Sequence, residues 1–506
     1  MKLIFLKRYC LLLMVVMVAA MLSDGYMGGD EGAIYTYTNL YFDENNPSLL
    51  KFLFASRVHN EYLQHHLFWF FIQVLVGYII SAFLNLSVII VADEFRNWMF
   101  AFPFAMLALF STVVSYRVLR RLGKSPPLAQ LCVGVFFFGG SAIGLLTGGL
   151  IECYILWAVS IRMLLLTPAP NRKVQGHLLT LLDFTLIAAK PYALIFLIAT
   201  LPGTWSKLRE KDRWHYLLGI FLLCTLFFII KSLVPVAEYD EFWTLWNRNI
   251  AADISFELLL KHLGLATFSF SFGLVWTTPL ILLFGMPRNM VRSELLQKLF
   301  GIFALELVFC LYPFWHGASG MPGQRYVLPF LVALLPEMCI GLQELIRRTR
   351  MTLVGLLVVI ALFLPAIDFR NSLADLYASK SSAGIPYVEF GYSNFPMFDL
   401  SFHPGVFAWR VVIDKMTQKE LIPASTSVGP ILEIASIFPM TGVSRFIFAV
   451  RTPQDMLDPR LTFVRNLTPD WFVYTIVLLR ALLISLLLFT LFSAVYRIIK
   501  GVRRSS

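Results

Sequence analysis

The sequence predicts an all-α polytopic membrane protein of about twelve transmembrane helices, with a small extracytoplasmic domain near the C-terminus. Two observations predict it. The 506 residues are 58% hydrophobic and only 14% charged, with a mean hydropathy of +0.72, more apolar sequence than a soluble core of this size can bury. The apolar stretches are continuous rather than alternating, which excludes a β-barrel. The net charge of +11 is no nucleic-acid footprint, because Lys and Arg gather in short loops between apolar segments while Trp and Tyr flank them. The six cysteines fall in or beside apolar segments, with neither a disulfide framework nor a zinc spacing.

Residues 1–22 have a basic start and a short apolar core, the form of a signal peptide. An uncleaved first helix is the reading taken here, with Lys7 and Arg8 snorkelling. Either way, Ser23 onward emerges outside the cytoplasm. The stretch Ser23-Asp24-Gly25-Tyr26-Met27-Gly28-Gly29-Asp30-Glu31-Gly32 puts three carboxylates and four glycines at that exit. The loop 23–66 continues through an aromatic run, Ile34 to Phe42, and a short amphipathic segment, Ser48 to Phe54, too short to cross a bilayer.

Further spans are expected at 67–92, 98–116, 127–146, 149–166, 178–201, 215–235, 263–285, 298–314, 326–346, 351–367 and 472–497. From the sixth of these spans onward, counting the first helix, alternation agrees with the charges: Lys207–Arg213, Arg288–Lys298, Arg347–Arg350 and Lys500–Arg504 fall inside. Earlier, simple alternation puts Arg117–Lys124 and Arg172-Lys173 outside although both have cytoplasmic character, so one or two early segments are expected to be half-length or re-entrant. The domain reading is therefore a multi-helix membrane domain over 1–367, a water-exposed piece over 368–471 that lacks long apolar runs, and a final helix with a basic tail over 472–506.

Ionisable groups inside a membrane cost about 2.5–3.5 kcal/mol each on insertion scales, which makes Glu152, Asp183, Lys190 and Glu306 functional candidates. Lys190 precedes Pro191, and a proline frees a backbone carbonyl and bends the helix, turning the ammonium to a polar cavity. The plainer alternative pairs Lys190 with Asp183, about two turns away. For Glu152 and Glu306 the plainer reading, a bond to a neighbouring helix, is preferred. A second constellation, Trp315-His316-Gly317-Ala318-Ser319-Gly320-Met321-Pro322-Gly323-Gln324-Arg325-Tyr326, sets His316, Gln324 and Arg325 in a glycine-rich turn at a span mouth, where backbone N–H groups and the Arg fork suit an anion.

Gly29-Asp30-Glu31-Gly32 with Tyr35, Phe95-Arg96, the run Tyr116 to Gly123, Ala189-Lys190-Pro191 and Gly323-Gln324-Arg325-Tyr326-Val327-Leu328-Pro329 together resemble the GT-C glycosyltransferases. These are membrane enzymes that use polyprenyl-phosphate-linked sugars; the branch with protein O-mannosyltransferases and lipid A aminoarabinose transferases is the one resembled. The resemblance implies a GT-C-like fold and a hexosyl- or pentosyl-type transfer in the cell envelope. It implies a general base at Asp30, with Asp24 or Glu31 as substitutes, and donor-phosphate contacts from Lys190 and Arg325. His316 and Gln324 are placed with them. The expected partners are a polyprenyl-phosphate sugar, a lipid, glycan or protein acceptor, and the membrane, with no nucleic acid. No cofactor is expected: Glu238, Asp240 and Glu241 crowd together without forming the metal motif of oligosaccharyltransferases. The expected location is a bacterial inner membrane, with the site facing out of the cytoplasm. The competing readings are a lipid or polysaccharide transporter and a non-catalytic envelope assembly subunit.

Overall fold

The computed structural model describes residues 34, 37–38, 40–42, 48–54, 63–64, 66–84, 93–138, 151–167, 176–234, 256–268, 273–282, 292–311 and 326–348, with six positions between 489 and 500. Every regular element among the described residues is helical. In chain order these are α1 (Leu49–Phe54), α2 (Leu67–Leu84), α3 (Asp93–Arg121), α4 (Pro126–Phe138), α5 (Ile151–Leu166), α6 (Gly176–Ala189) and α7 (Ala193–Ala199). They continue as α8 (Leu201–Lys207), α9 (Glu210–Leu233), α10 (Phe256–Phe268), α11 (Leu274–Thr277), α12 (Arg292–Cys310), α13 (Leu328–Leu331) and α14 (Leu335–Arg348). Among the described residues three segments are long and apolar enough to cross a membrane: Phe102–Arg121, Glu210–Leu233 and Leu328–Ile346. The last is α13 and α14 joined by a 3-10 turn at Val332–Leu334. Pro336 accounts for that tightening, because its ring clashes with the carbonyl four residues earlier.

One end of the bundle collects the basic residues. There α3 stops in a Schellman turn: Gly123 has φ +77°, Lys124 N–H reaches Leu119 O at 3.1 Å and Gly123 N–H reaches Arg120 O at 3.1 Å. Arg121 then donates to Leu164 O at the end of α5 (3.1 Å), and Lys124 donates to Gln343 of α14 (3.0 Å). The ends of α3, α5 and α14 therefore share one side with the basic run Arg117–Lys124. Simple alternation had separated that run from Arg347, and the contacts correct it.

The reason lies in the segment 178–201, which is not a single bent span. A helix running on from Gly176 to Lys207 would carry the chain roughly 45 Å away at 1.5 Å per residue. Instead Gly176 abuts Asp212, just past Lys207: a Cβ on the glycine would lie 2.9 Å from Asp212 Cβ. The chain thus rises through α6, turns at Lys190-Pro191-Tyr192, and descends through α7 and α8 as a helical hairpin. Both its feet stand at the basic end, so the start of α6 at Gly176 and the run Lys207–Arg213 belong to one side. That single change of parity also returns Arg117–Lys124 to that side. Within α2, Tyr78 bonds Tyr41 of the first loop at 2.5 Å.

The hairpin is held by close approach. On its rising leg, Gly219 of α9 meets Thr180, whose Cγ2 would lie 2.7 Å from an added Cβ. Phe184 meets Phe227 at 6.2 Å between ring centroids, so α6 and α9 run parallel. The descending leg packs antiparallel to α12, pairing Tyr192 with Phe309 (4.8 Å), Gly203 N–H with Gln297 (3.1 Å) and Lys207 with Glu294 (3.0 Å). Hydroxyls on these legs bond back to their own helices, Thr180 to Gly176 O (2.9 Å), Thr200 to Phe196 O (2.9 Å) and Thr204 to Thr200 O (3.0 Å), as apolar surroundings require. With small residues setting helix separation in membranes, Gly219→Leu is expected to force α6 and α9 apart and cost about 1–3 kcal/mol. The check is a denaturation curve of the detergent-solubilised protein, and an unchanged midpoint would remove the close-packing argument.

Among the described segments long enough to cross a membrane, α9 is the most lipid-like. Its most apolar 18 residues have a mean hydropathy of 2.2, and it exposes Leu218, Phe221, Leu222, Leu226, Ile229 and Leu233.

Candidate functional site

The site begins with a break in hydrogen bonding. Pro191 has no N–H, and the chain past Ala189 closes instead by tight turns, with Ala193 N–H to Lys190 O (3.0 Å), Leu194 N–H to Pro191 O (3.1 Å) and Ile195 N–H to Tyr192 O (3.0 Å). These turns end α6, start α7 and place the half-buried Lys190 at the hairpin tip. Tyr192 anchors the tip. Its ring meets Phe309 of α12, then Tyr326 (5.8 Å) and Phe330 (6.2 Å), while Phe309 and Tyr326 stack at 4.5 Å and 17°. Tyr326 follows Arg325 in sequence, so the segment entering α13 packs against the turn that carries Lys190.

A second lysine stands at the same end of the bundle. The parallel packing of α6 on α9 brings the last turn of α9, which carries Lys231, to the end where the tip lies. The carbonyls at this end of α9 are taken by Gln64, whose Nε2 donates to Lys231 O (3.0 Å) and to Val234 O (3.4 Å). Gln64 belongs to the loop 23–66, so described parts of that loop cover the tip end of the bundle. Tyr37, Tyr41, Phe52, Leu53 and Leu63 of the loop pack with Phe70 and Val74 of α2 and Val234. Burial, with the bond to Tyr78, pushes the Tyr41 phenol up to about 12, so this tie between loop and α2 stays uncharged at neutral pH.

Asp183 is not the partner of Lys190. It is fully buried and accepts from Arg162 Nε on both oxygens (3.0 and 3.2 Å) and from the Tyr216 hydroxyl (2.6 Å). Arg162 in turn donates from Nη2 to Thr204 (2.6 Å). The network ties α5, α6, α8 and α9 together on the basic side of the tip. The expected alternative, an Asp183–Lys190 pair, is thereby corrected: the carboxylate is already satisfied by a guanidinium from another helix. Glu306 joins neighbouring helices as expected, accepting from Thr267 of α10 (3.2 Å), and Glu152 is fully buried in the first turn of α5.

Lys190 is therefore the one proposed site residue within the described part. Asp24, Asp30, Glu31, His316, Gln324 and Arg325 lie outside the described residues, as do Glu238, Asp240, Glu241 and the domain 368–471. No group of three or more His, Cys, Asp or Glu placed to hold a metal occurs among the described residues. Sequence reasoning missed Arg162 and Lys231. Arg162 carried the same signal as Glu152, an ionisable group in an apolar run, and Lys231 stood in the last turn of an apolar span.

No family model matches the chain, and no curated protein does. Its fold is similar to a crystal structure of ArnT from Cupriavidus metallidurans bound to undecaprenyl phosphate. The TM-score is 0.45 and the identity 14%, over 87% of this chain and 74% of that one. A likeness of this size transfers no chemistry.

Proposed function

We propose that the chain is a GT-C-type membrane glycosyltransferase that moves a sugar from a polyprenyl-phosphate donor to an acceptor hydroxyl outside the cytoplasm. The observation that carries this is the hairpin tip: a proline-broken turn in an apolar bundle holding Lys190, packed through Tyr192 against the segment that follows Arg325. Cations at the mouth of a lipid-facing bundle suit a lipid-borne phosphate. The loop that carries Asp30 has described residues at the same end, which supports a base and a phosphate site on one side.

In this reading Asp30 takes the proton of the acceptor hydroxyl, with Asp24 as the second choice and Glu31 supporting. The oxygen attacks the anomeric carbon, the bond from that carbon to the phosphate oxygen breaks, and the polyprenyl phosphate leaves with a second negative charge. Lys190 and Arg325 meet that charge, with His316 and Gln324 as further donors. Direct displacement inverts the anomeric centre. The acceptor is a lipid, glycan or protein.

The test is purified protein in proteoliposomes with a radiolabelled polyprenyl-phosphate sugar and envelope acceptor fractions. Transfer of label with release of free polyprenyl phosphate is expected. Intact donor appearing on the opposite leaflet would instead identify a transporter. Lys190→Gln is expected to lower turnover by about 10²–10³-fold, the usual loss when one donor to a developing negative charge is removed.

A further inference from the structure

Ser111, Ser160, Thr180 and Thr204 bond back to carbonyls of their own helices, but Gln73 of α2 does not. It is fully buried, and neither its amide oxygen nor its amide nitrogen has a hydrogen-bond partner among the described residues. Trp69 stands one turn earlier on the same face of α2. It too is buried, and its indole N–H is likewise without a partner among the described residues. Unmet polar groups in a protein interior are costly and few, so each calls for a reason. The other face of α2 exposes Leu75 and Ile79, as contact with lipid selects. The face with Trp69 and Gln73 turns inward, where the Trp69 ring meets Phe104 of α3 at 6.3 Å. A buried water is the plain account of such a pair. Two placements point beyond it. Ile34, four residues after Asp30, is fully buried in the same apolar core as Trp69 and Phe104. Phe68, next to Trp69, meets Phe227 at 6.4 Å, and Phe227 meets Phe184 on the leg that rises to Lys190.

We propose that Trp69 and Gln73 bind hydroxyls of the donor sugar. The inference rests on the proposed function and deepens it, by naming groups that read the sugar rather than the phosphate. The indole N–H donates, while the amide both donates and accepts. A ligand that meets all of these groups has to accept and donate, as a hydroxyl does. An ionised phosphate oxygen only accepts, so it would leave the Gln73 carbonyl unmet. The two side chains stand about 6 Å apart along the helix at 1.5 Å per residue, a span that one sugar ring can bridge. Neither is charged, so they add no hold on the departing phosphate, and reading the sugar is separate from the work of Lys190. Both are buried, so the packing over them has to open for a sugar to enter.

The experiment uses the full chain in nanodiscs of neutral phosphatidylcholine, without acceptor. It is titrated with polyprenyl-phosphate glucose, mannose and arabinose, and with polyprenyl methyl phosphate, which has the same lipid and charge but no sugar. Wild type is expected to bind at least one sugar-charged lipid about tenfold or more tightly than the methyl diester, as one or two added hydrogen bonds allow. Gln73→Leu is expected to cut that preference to about threefold or less, with the methyl diester bound as before. Trp69→Phe keeps the ring and deletes the N–H; it should weaken the preference too, and it supplies the answer if Gln73→Leu does not fold. Because Gln73→Leu removes an unmet amide, its melting temperature without ligand should equal or exceed that of wild type. A preference that survives in both variants would sink the inference and leave the proposed function standing. A lower melting temperature alongside that result would identify an amide bonded to structural water. A wild type that binds the methyl diester as tightly as every sugar-charged lipid would also overturn the inference, and would assign the hydroxyl contacts to the acceptor or to water. Failure of wild type to bind either kind of lipid would overturn both readings.

Discussion

Replacing Asp30 by Asn is expected to lower sugar transfer by about 10²–10⁴-fold, the contribution general-base assistance makes to such steps. The change keeps size and most hydrogen bonding, so donor binding should stay near the wild-type value. A loss in kcat with little change in donor Kd is the signature of a base; a loss confined to binding is that of a phosphate or sugar contact. Asp24→Asn is the control. If Asp24→Asn removes turnover and Asp30→Asn spares it, the base sits six residues nearer the first helix. If both spare it, the acidic stretch is a polar helix exit and the chemistry lies elsewhere.

The largest stability effect is expected at Arg162. Arg162→Met strands the fully buried Asp183 without its guanidinium, leaving the Tyr216 hydroxyl bond at 2.6 Å. Removing one partner of a buried pair costs about 3–5 kcal/mol, because the remaining charge has no water to turn to. The double variant Arg162→Met with Asp183→Leu should recover more than half of that loss, since it removes the stranded charge as well. Chemical denaturation in detergent, comparing the two singles with the double, measures the coupling. A loss below about 1 kcal/mol for Arg162→Met would show that the network does not hold the hairpin to α5.

What could be read from residues alone divides along a physical line. Long apolar runs report burial in lipid directly, so the class and most segment limits were legible. The partner of Asp183 was not. Its spacing to Lys190 suggests neighbours on one face, but Pro191 ends that face, and the true partner lies 21 residues earlier on another helix. The hairpin was half legible: misplaced charges signalled a segment that fails to cross, yet Leu and Ile look alike in one long span and in two short legs. Of the site, Lys190 could be singled out because a lysine before proline in an apolar run is costly. Lys231 could not, since only packing brings the end of α9 to the end of the bundle where the tip lies.

The hairpin also bears on how the protein is made. Its feet share one side, so α6, α7 and α8 have to enter the bilayer as a pair of legs, with the Lys190 turn leading. If the basic end is cytoplasmic, that turn carries a positive charge outward against a membrane potential negative inside. This opposes entry by about 2.3 kcal/mol per 100 mV for a full crossing. Biogenesis of this region would then be slowed by an energised membrane and eased by anything that shields the lysine on its way through. The lysine that singles out the tip also makes it costly to deliver.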